Sequence, residues 1–532
     1  YRFFEPVQST DGYDVIEAVA AQPWVEDHRV GMVGISYPGI SQLFVAAQRP
    51  PGLAAITPLS VYDDTARGVV APGGIFNKGF AFQWAKEVLD NAKPEGQGWT
   101  KTVIDRGDTT CSENQRMRLE NVDAVAKAKR SSYYTRSIAD PLNPSLFVGK
   151  IDVPVFLAGA WQDEQTGGHF ATMLDRFTGS PHVYASLVNG LHTEALISLG
   201  IFGRYVEFLD LYVAHRVPDL TGAAQVVPIL SGSVTGVDGL SLPPRRTLGS
   251  TYDEAKAAFE AEPAIEILFE EGAADGQTPG SPVPRFAASF DAWPVTDTFD
   301  TWYLGDDGAL TGTPSGTGSA SYVADPTTSP INTIDDSANE WAADAVWDWE
   351  APPAPNVAAW VSDPLSADTV VAGSGWVTLH VASSVGDTDL EATLSEVRPD
   401  GSEVYVQNGW LRLSHRTEVA DSPSQGAPLH TDAAADAAPA PAGELVEARL
   451  ELFPVAHAFR SGSRIRLTID APGGNRPSWA FDTIADGEQV TISTAAATPS
   501  ALVLPVVSGV AVPAGVPACG ALRGQPCRSA AG

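Results

Sequence analysis

The feature that most constrains the fold is an apolar run, RVGMVGI at residues 29–35, followed at once by a glycine-rich turn. Apolar residues recur at helical spacing before the run, in residues 11–21, and again after the turn, in residues 41–48. Pro23 separates the first helical segment from the run. A continuous apolar run between helices is typical of a buried strand in a parallel sheet. The sequence therefore predicts an α/β fold that begins with a helix, a buried strand, a tight turn and a second helix.

The same pattern continues along the chain. Residues 153–161, VPVFLAGAW, and residues 182–190, HVYASLVNG, are predicted as strands with a helix at residues 170–177 between them. Residues 66–140 are instead helical and rich in aromatic side chains, which predicts a helical cap inserted into the sheet domain. Some of these aromatic residues are expected to line a pocket and the others to pack between helices. The aromatic residues are Phe76, Phe80, Phe82, Trp84 and Trp99.

The pattern changes near Ala264, where short alternating strands separated by Gly, Pro, Asp and Ser begin. The predicted strands are IEILF, TWYLG, GWVTLHV, EATLSEV, EVYVQNGWLRL, ARLELFPV and SRIRLTID. Their spacing predicts a β-sandwich or jelly roll. We therefore divide the chain into an α/β domain at residues 1–262, a sandwich at residues 263–512 and a tail at residues 513–532. Two low-complexity segments are expected to form surface loops, residues 272–284 and 421–443.

The C-terminal part combines an uncharged stretch with two cysteines. Residues 490–522 carry no charge but contain four prolines, so we expect a last sandwich strand and a loose tail rather than a transmembrane helix. Cys519 and Cys527 either form a small disulfide, which would suit export, or remain two unpaired thiols. Cys111 is no candidate nucleophile, because no His or carboxylate motif accompanies it.

The charge of the chain excludes some classes of partner. It carries 65 acidic and 33 basic residues, a net charge of -32, which repels phosphate backbones and anionic lipid surfaces. Nucleic acid and membranes are therefore not expected as partners, and the oligomeric state stays open. The chain opens on YRFFEPVQSTDGYD, without Met or a charged and then apolar start, so we expect a piece of a longer, secreted or extracellular product.

Ser36 is the candidate nucleophile. It stands directly after the first strand and before a helix, in GMVGISYPGISQL, which is where a nucleophile elbow exposes its hydroxyl above the sheet edge. The amide N–H of Tyr37 is then aimed at the oxyanion that develops during acyl transfer. The general G-x-S-x-G pattern has its second glycine at the position of Pro38, whereas this chain has Gly39 one place later.

Asp163 and His192 are the candidate partners of the serine. A serine hydroxyl needs an imidazole to take its proton, and the imidazole needs a buried carboxylate to orient it. Asp163 follows the second predicted strand and His192 follows the third, so both are expected at the edge where parallel sheets place active sites. Asp152 and His182 precede their strands and point to the opposite edge, while His169 is a weaker rival because it is expected within a helix.

A specific family resemblance follows from these motifs. The run DGYDVIEAVAAQPWVEDHRVGMVGISYPGISQL resembles the signature of the CocE/NonD hydrolases, which include X-Pro dipeptidyl-peptidases of the S15 type, cocaine-esterase-like enzymes and α-amino-acid ester hydrolases. VPVFLAGAWQD is similar to the acid-bearing strand of that family, and SDPLSADTVVAGSGWVTLHV, DTDLEATLSEVRPDGS and TPSALVLPVV resemble its jelly-roll domain. The resemblance implies an α/β-hydrolase domain with a helical cap, followed by a C-terminal all-β jelly roll. It assigns Ser36 as nucleophile, Asp163 as orienting acid, His192 as base and Tyr37 as an oxyanion donor through its backbone.

Two features depart from the family pattern. The family's histidine usually stands in a Pro-Trp-Ser-His context, whereas Asn189, Gly190 and Leu191 precede His192 here. Family members also carry upstream strands and a tyrosine whose hydroxyl is the second oxyanion donor, and this chain begins after them. We therefore expect the chain to lack the N-terminal segment of its catalytic domain.

The resemblance implies a serine hydrolase that cleaves an ester or amide bond, including an X-Pro peptide bond, through an acyl-enzyme. A dipeptidyl-peptidase needs a carboxylate for the substrate's α-amine, and Glu164 is the candidate. The alternative is an α/β-hydrolase-like binding protein with weak or vestigial catalysis. Asp387 and Asp389 fit no EF-hand or zinc spacing and are interpreted as solvated turns. No cofactor or metal is implied, and the expected partner is a small-molecule or peptide substrate.

Overall fold

The structure is a computed structural model that describes residues 3–4, 6–120, 123, 126, 133–328, 339–420, 426–473 and 479–530. The described residues form a six-stranded and a twelve-stranded sheet. An α/β part with parallel strands therefore precedes a larger, mainly antiparallel β part, which confirms the predicted fold class. The division of the chain at residues 262 and 512 stays a prediction.

The first sheet has the order β1-β2-β3-β4-β5-β6, with parallel neighbours from β1 to β5 and an antiparallel β6. Its strands are β1 (Val30–Ile35), β2 (Leu53–Leu59), β3 (Val155–Ala160), β4 (Val183–Val188), β5 (Ile265–Phe269) and β6 (Phe286–Phe290). The sequence analysis missed β2. It also assigned β5, the IEILF segment, to the sandwich, which is wrong because β5 pairs in parallel with β4.

Helices pack on this sheet, and several of them lie between β2 and β3 in the part of the chain that the structure describes. They are α1 (Pro6–Ala20), α2 (Tyr37–Ala46), α3 (Phe80–Asn91), α4 (Gly98–Asp105), α5 (Thr109–Asn114), α6 (Arg136–Ala139), α7 (Glu194–Ile197), α8 (Leu199–Tyr212), α9 (Thr221–Thr235) and α10 (Tyr252–Glu260). Helices α3 to α6 lie in the region predicted as a helical cap. The helix predicted at residues 170–177 is a 3-10 helix, Gly168–Arg176. In the part of the chain that the structure describes, no helix has the length and apolar character needed to cross a membrane.

Strand β1 was predicted to be buried, and this is wrong. Within the described residues it stands at the end of its sheet and pairs with β2 alone. Its residues are only partly buried, and the side chain of Val33 is 57% exposed. An apolar run identifies a strand, but burial on both faces requires neighbours that the run itself does not specify.

The second sheet forms the β part of the protein. Its strands are β7 (Phe299–Leu304), β8 (Ala309–Thr311), β9 (Ser319–Val323), β10 (Val357–Ser362), β11 (Thr369–Ser383), β12 (Asp389–Val397), β13 (Ser402–Arg412), β14 (Val446–Phe459), β15 (Arg464–Asp470), β16 (Gln489–Ser493), β17 (Ala501–Val507) and β18 (Cys527–Ser529). Neighbours are antiparallel except β8 and β10. Its core buries large side chains, among them Trp360, Tyr405 and Phe459. The six other predicted sandwich segments all contain strands of this sheet.

One prediction about the surface of the β part is wrong. The tail is not loose, because β18 pairs with β13, residues 521–526 are buried and a disulfide joins Cys519 to Cys527. Contacts with distant parts of the chain hold these residues, and composition alone does not reveal such contacts. In the low-complexity segment 421–443, residues 434–436, 438–439 and 441–443 are exposed, as expected of a surface loop, while His430 and Asp432 are buried.

A buried histidine joins the two parts of the molecule. The Nδ1 atom of His169 lies 3.6 Å from Asp63 Oδ1, and its Nε2 atom lies 3.3 Å from Glu451 Oε2 in β14. Burial lowers the pKa of His169, but the two carboxylates outweigh it and raise that pKa to about 10. His169 is therefore a charged imidazolium near neutral pH, held between the α/β part and the β part.

We expect His169→Gln to lower the free energy of unfolding by about 1.5–3 kcal/mol near pH 6, because two partly buried carboxylates lose the charged group that they share. The stabilisation is fully present below the unfolded value of 6.5 and is lost as pH rises through about 10. Denaturant unfolding of wild type and variant should therefore show a difference that shrinks over this range. A difference that does not change with pH would contradict this assignment.

Candidate active site

Ser36 lies at the turn between β1 and α2, where the sequence predicted it. Its φ of 63° and ψ of -132° fall in a region that residues with a side chain rarely occupy. Its backbone N–H donates to the carbonyl oxygen of Leu59, at the end of β2, over 2.9 Å. The strained turn therefore presents Ser36 at the carboxyl edge of the sheet, as in a nucleophile elbow.

Two glycines permit this turn to pack closely. A Cβ on Gly34 would lie 2.6 Å from the Cβ of Pro38, and a Cβ on Gly39 would lie 2.5 Å from the carbonyl oxygen of Leu59. Both separations are shorter than a van der Waals contact, so a side chain at either position would push α2 away from the sheet. Gly39 therefore allows α2 to approach β2 closely. It does so although it stands one place later than the second glycine of the general G-x-S-x-G pattern.

Tyr37 is the first residue of α2, and Pro38 follows it. The N–H groups in the first turn of a helix have no acceptor within the helix and lie at the positive end of its dipole. An N–H at this place, directly after the nucleophile, suits a developing oxyanion.

Asp163 and His192 are hydrogen-bonded to each other. Asp163 lies three residues past the end of β3 and His192 four past the end of β4, and His192 Nδ1 is 2.8 Å from Asp163 Oδ2. Both are buried, at 0% and 5% exposure. An ionised carboxylate at Nδ1 favours the tautomer with its proton there, which leaves Nε2 as an acceptor. Among the described residues, His192 Nε2 has no hydrogen-bond partner.

The loop after β3 holds the Asp163 carboxylate. Oδ1 accepts the backbone N–H groups of Gln165 and Thr166, each over 2.8 Å, and Oδ2 also accepts the Thr166 hydroxyl over 2.7 Å. Burial raises the pKa of Asp163, but His192 and these hydrogen bonds outweigh it, so the pKa lies below its ordinary value. The sequence analysis missed Thr166, although an Asp that caps its own turn with a Thr three residues later is a recognisable local pattern.

The end of β2 links Ser36 to His192. The Ser60 hydroxyl donates to the His192 carbonyl oxygen over 2.6 Å, and Leu59, the preceding residue, holds the Ser36 amide. No hydrogen bond joins Ser36 to His192 in this structure. The fold thus brings Asp163 and His192 into contact and places Ser36 beside them at the same edge.

Glu164 supports the loop that bears His192. It is fully buried, its Oε2 accepts the His192 backbone N–H over 2.8 Å, and its Oε1 accepts Gln165 Nε2 and Trp341 Nε1 over 3.0 and 3.3 Å. Burial, Asp163 and Glu340 raise the pKa of Glu164 to about 7. This carboxylate is oriented toward the main chain of His192.

The rival residues lie elsewhere. Asp152 is 3.7 Å from Arg49 at the surface, and His182 is 3.2 Å from Glu260. His169 lies between the carboxylates described above. The interpretation of Asp389 as part of a solvated turn is wrong, because it begins β12 between β13 and β15, is fully buried and pairs with Arg412. Asp387 lies just before this strand, is partly buried and accepts the Ser414 N–H.

A cavity of about 280 Å³ lies beside Ser36. Aromatic side chains from the N-terminal region and the cap line much of it, namely Phe3, Phe4, Phe76, Phe80, Phe82 and Trp84. Trp99 is 62% exposed and is not part of the wall. Asp432 comes from the β part and also lines the cavity, so the β part helps to shape it. This carboxylate lies 3.3 Å from Arg67 Nε and 3.1 Å from His415 Nδ1.

Two sequence profiles match the chain. Residues 2–194 match X-Pro dipeptidyl-peptidase (S15 family), and residues 257–503 match the X-Pro dipeptidyl-peptidase C-terminal non-catalytic domain. The fold resembles that of a CocE/NonD family hydrolase from Staphylococcus aureus, with a TM-score of 0.67 and 17% identity, covering 95% of this chain and 77% of that one. The chain is thus similar in sequence to the S15 peptidase family and has the fold of a CocE/NonD hydrolase.

Curated relatives of this chain are esterases by name. Cocaine esterase from Rhodococcus sp. (strain MB1 Bresler) is 24% identical over 533 residues, which cover 93% of this chain and 84% of that protein. A Mycobacterium tuberculosis protein named as a serine esterase is 24% identical over 498 residues, which cover 86% and 73%. The S15 match and these relatives show that the protein is an enzyme of the serine hydrolase class.

The pKa of His192 leads to a prediction about pH. Burial lowers that pKa, but Asp163, Glu164 and Glu340 outweigh it, so it lies above its ordinary value of 6.5. Since a general base must be neutral, kcat/KM should fall as pH drops through a pKa above 6.5. Glu164→Gln removes one of the carboxylates, so the acid limb should move to lower pH, whereas Asp152→Asn should leave it in place. An unmoved acid limb in Glu164→Gln would show that this carboxylate does not act on the base.

Proposed function

We propose that this enzyme hydrolyses carboxylic esters through a covalent acyl-enzyme, with Ser36 as nucleophile, His192 as general base and Asp163 as the orienting carboxylate. The observation that supports this most strongly is the buried 2.8 Å hydrogen bond between Asp163 and His192, at the edge of the sheet that also carries the strained turn at Ser36. The residue order Ser, Asp, His along the chain is that of the α/β-hydrolases.

The proposed reaction has two halves. His192 Nε2 takes the proton of the Ser36 hydroxyl while Oγ attacks the ester carbonyl, and the Tyr37 N–H donates to the oxyanion. Collapse of the tetrahedral intermediate breaks the ester bond, and the leaving alkoxide takes the proton from the imidazolium. A water molecule, deprotonated by the same imidazole, then releases the acid and restores Ser36. The raised pKa of His192 and the lowered pKa of Asp163 both favour the imidazolium form that these steps require.

The missing hydrogen bond between Ser36 and His192 is compatible with this mechanism. Such bonds are often long or misaligned without substrate and tighten only in the complex. The main-chain contacts of both residues with Leu59 and Ser60 keep the two loops at one edge, so a rotation of the Ser36 side chain suffices to change the direction of its hydroxyl.

We further propose that the acyl group is apolar and uncharged. The cavity has mainly apolar walls, and its acidic residue Asp432 is already paired with Arg67 and His415. Glu164, the candidate partner for a substrate α-amine, directs its oxygens to His192, Gln165 and Trp341 instead. A free ammonium group would thus be buried without a dedicated carboxylate, which is costly. These contacts favour an ester of an uncharged acid over an X-Pro peptide.

The disulfide supports a location outside the reducing cytoplasm. Alkylation of the protein in its native cells before lysis, followed by mass spectrometry, should label Cys111 and leave Cys519 and Cys527 unmodified. Alkylation of all three cysteines would contradict an extracellular location.

Labelling with a fluorophosphonate tests the assignment of the nucleophile. We expect one covalent adduct on the peptide that contains Ser36, no adduct in Ser36→Ala, and labelling slowed by about a hundredfold or more in His192→Ala. Ser41→Ala is the matched control, because Ser41 lies on the same helix and donates to the Pro38 carbonyl oxygen. An adduct on another serine, or undiminished labelling of Ser36→Ala, would contradict the proposal.

The substrate proposal is tested with paired p-nitrophenyl esters of the same size. An acyl chain with a free α-ammonium group should have a kcat/KM about a hundredfold below that of its uncharged analogue, because burial of an unpaired polar group costs several kcal/mol. X-Pro-p-nitroanilides should be poor substrates for the same reason. Equal kcat/KM values for the charged and uncharged esters would contradict an apolar acyl site.

A further inference from the structure

The C-terminal tail contains a loop that is built into the interior. The disulfide between Cys519 and Cys527 closes this segment, residues 519–527, which we call the tail loop. The Pro526 carbonyl oxygen accepts the Tyr405 N–H over 2.9 Å, and β18 pairs with β13, so the second sheet anchors the loop. Residues 521–526 are all buried. A nine-residue disulfide loop without a role in packing would expose most of its residues.

The tail loop contacts the segment that bears His192, residues 189–194, which we call the base loop. The side-chain amide of Asn189 donates to the Arg523 carbonyl oxygen over 3.0 Å. Gly524 packs its backbone on that of Gly190, so that a Cβ at position 524 would lie 2.8 Å from Gly190 Cα. The tail therefore touches the main chain two residues before the base.

Arg523 extends this contact by an ion pair. Its side chain is 4% exposed, and its Nε donates to Oε1 of Glu194, which is fully buried. Its other donors are used on the Gly280 and Trp341 carbonyl oxygens, each over 2.9 Å. The second oxygen of Glu194 accepts the Leu191 N–H over 2.7 Å. Contacts thus run from the guanidinium through a buried carboxylate to the residue directly before His192.

The surroundings make this guanidinium necessary. Glu271 lies close to Glu194, and burial together with the charge of Glu194 raises the pKa of Glu271 well above its ordinary value. Without Arg523, two carboxyl groups would remain in the interior with no cation beside them. Glu194 would then lack its charged partner, and its bond to Leu191 N–H would weaken or be lost.

We propose that the tail loop is a positioning element for the catalytic base. In this proposal, Arg523 is a positioning residue that acts through Glu194, and the disulfide is the tether that keeps the loop in place. The inference rests on the proposed role of His192. Ser60 and Glu164 hold the base loop from the α/β part, whereas the tail loop holds it from the C-terminal end of the chain.

The tether is accessible to a reductant, since Cys519 is exposed. A dithiol such as dithiothreitol supplies two electrons and two protons, which convert the disulfide into two cysteine thiols, and the reagent leaves as its own cyclic disulfide. We therefore expect turnover to depend on the oxidation state of these two cysteines.

The first experiment compares Arg523→Gln with Arg528→Gln. Arg528 is the matched control, because it lies in the same tail, pairs with the buried Glu403 over 3.0 Å and stacks on Trp349, yet has no contact with the base loop. Arg523→Gln should lower kcat by about tenfold or more with KM within about twofold, because a small displacement of a catalytic group is costly. It should also shift the acid limb of the pH profile, and Arg523→Lys should restore part of kcat. Arg528→Gln should change neither kcat nor the pH profile.

The second experiment uses the folded wild-type protein. Reduction with dithiothreitol and alkylation of the thiols should lower kcat and the rate of fluorophosphonate labelling by the same factor. The double variant Cys519→Ser/Cys527→Ser should already have the lower kcat, and the reductant should not change it further. An unchanged kcat after complete reduction would overturn the proposal. This test uses the wild-type protein, so it decides the question even if Arg523→Gln fails to fold.

His192→Ala separates this inference from the proposed function. If His192→Ala turns over like the wild type, the proposed function fails. If His192→Ala is inactive while Arg523→Gln retains wild-type kcat and pH profile, only the positioning role fails. An equal loss of kcat in Arg523→Gln and Arg528→Gln would also overturn the positioning role, because it would reflect a general loss of stability.

Discussion

The buried hydrogen bond between Asp163 and His192 is the interaction on which the rest of the site depends. A carboxylate that is wholly removed from water is costly, so the surrounding loops must compensate it. Thr166 and the N–H groups of residues 165 and 166 do this for Asp163, and Glu164 and Ser60 fix the main chain of His192. In a parallel sheet, the loops after the strands lie at one edge. Strands β1 to β4 therefore place Ser36, Asp163 and His192 at the same edge of the sheet.

The β part contributes residues to the cavity and to the support of the site. Asp432 lines the cavity, Glu451 pairs with His169 across the interface, and Arg523 supports the base loop from behind. Each contact joins residues far apart in the chain, and each buries a charge that its partner compensates. The candidate site is therefore in contact with the β part, and in our proposal the position of His192 depends on the tail loop.

The sequence was sufficient to predict the fold class and to select Ser36, Asp163 and His192 as candidates, because each follows a strongly apolar strand. It misassigned IEILF and the burial of β1, because an apolar strand does not specify its neighbours. Local composition also gave no indication that the tail is buried, since Arg523 and Gly524 owe their burial to contacts with residues 189–194. Thr166 alone among the supporting residues has a local pattern that could have identified it.

The central claim is that an acyl group is carried by Ser36. Acid quenching during turnover of a p-nitrophenyl ester, followed by mass spectrometry of the proteolytic peptides, tests it most directly. We expect the mass of the acyl group to be added to the peptide that contains Ser36, and we expect no adduct in Ser36→Ala. An acyl group on a different residue, or turnover by Ser36→Ala at the wild-type rate, would contradict it.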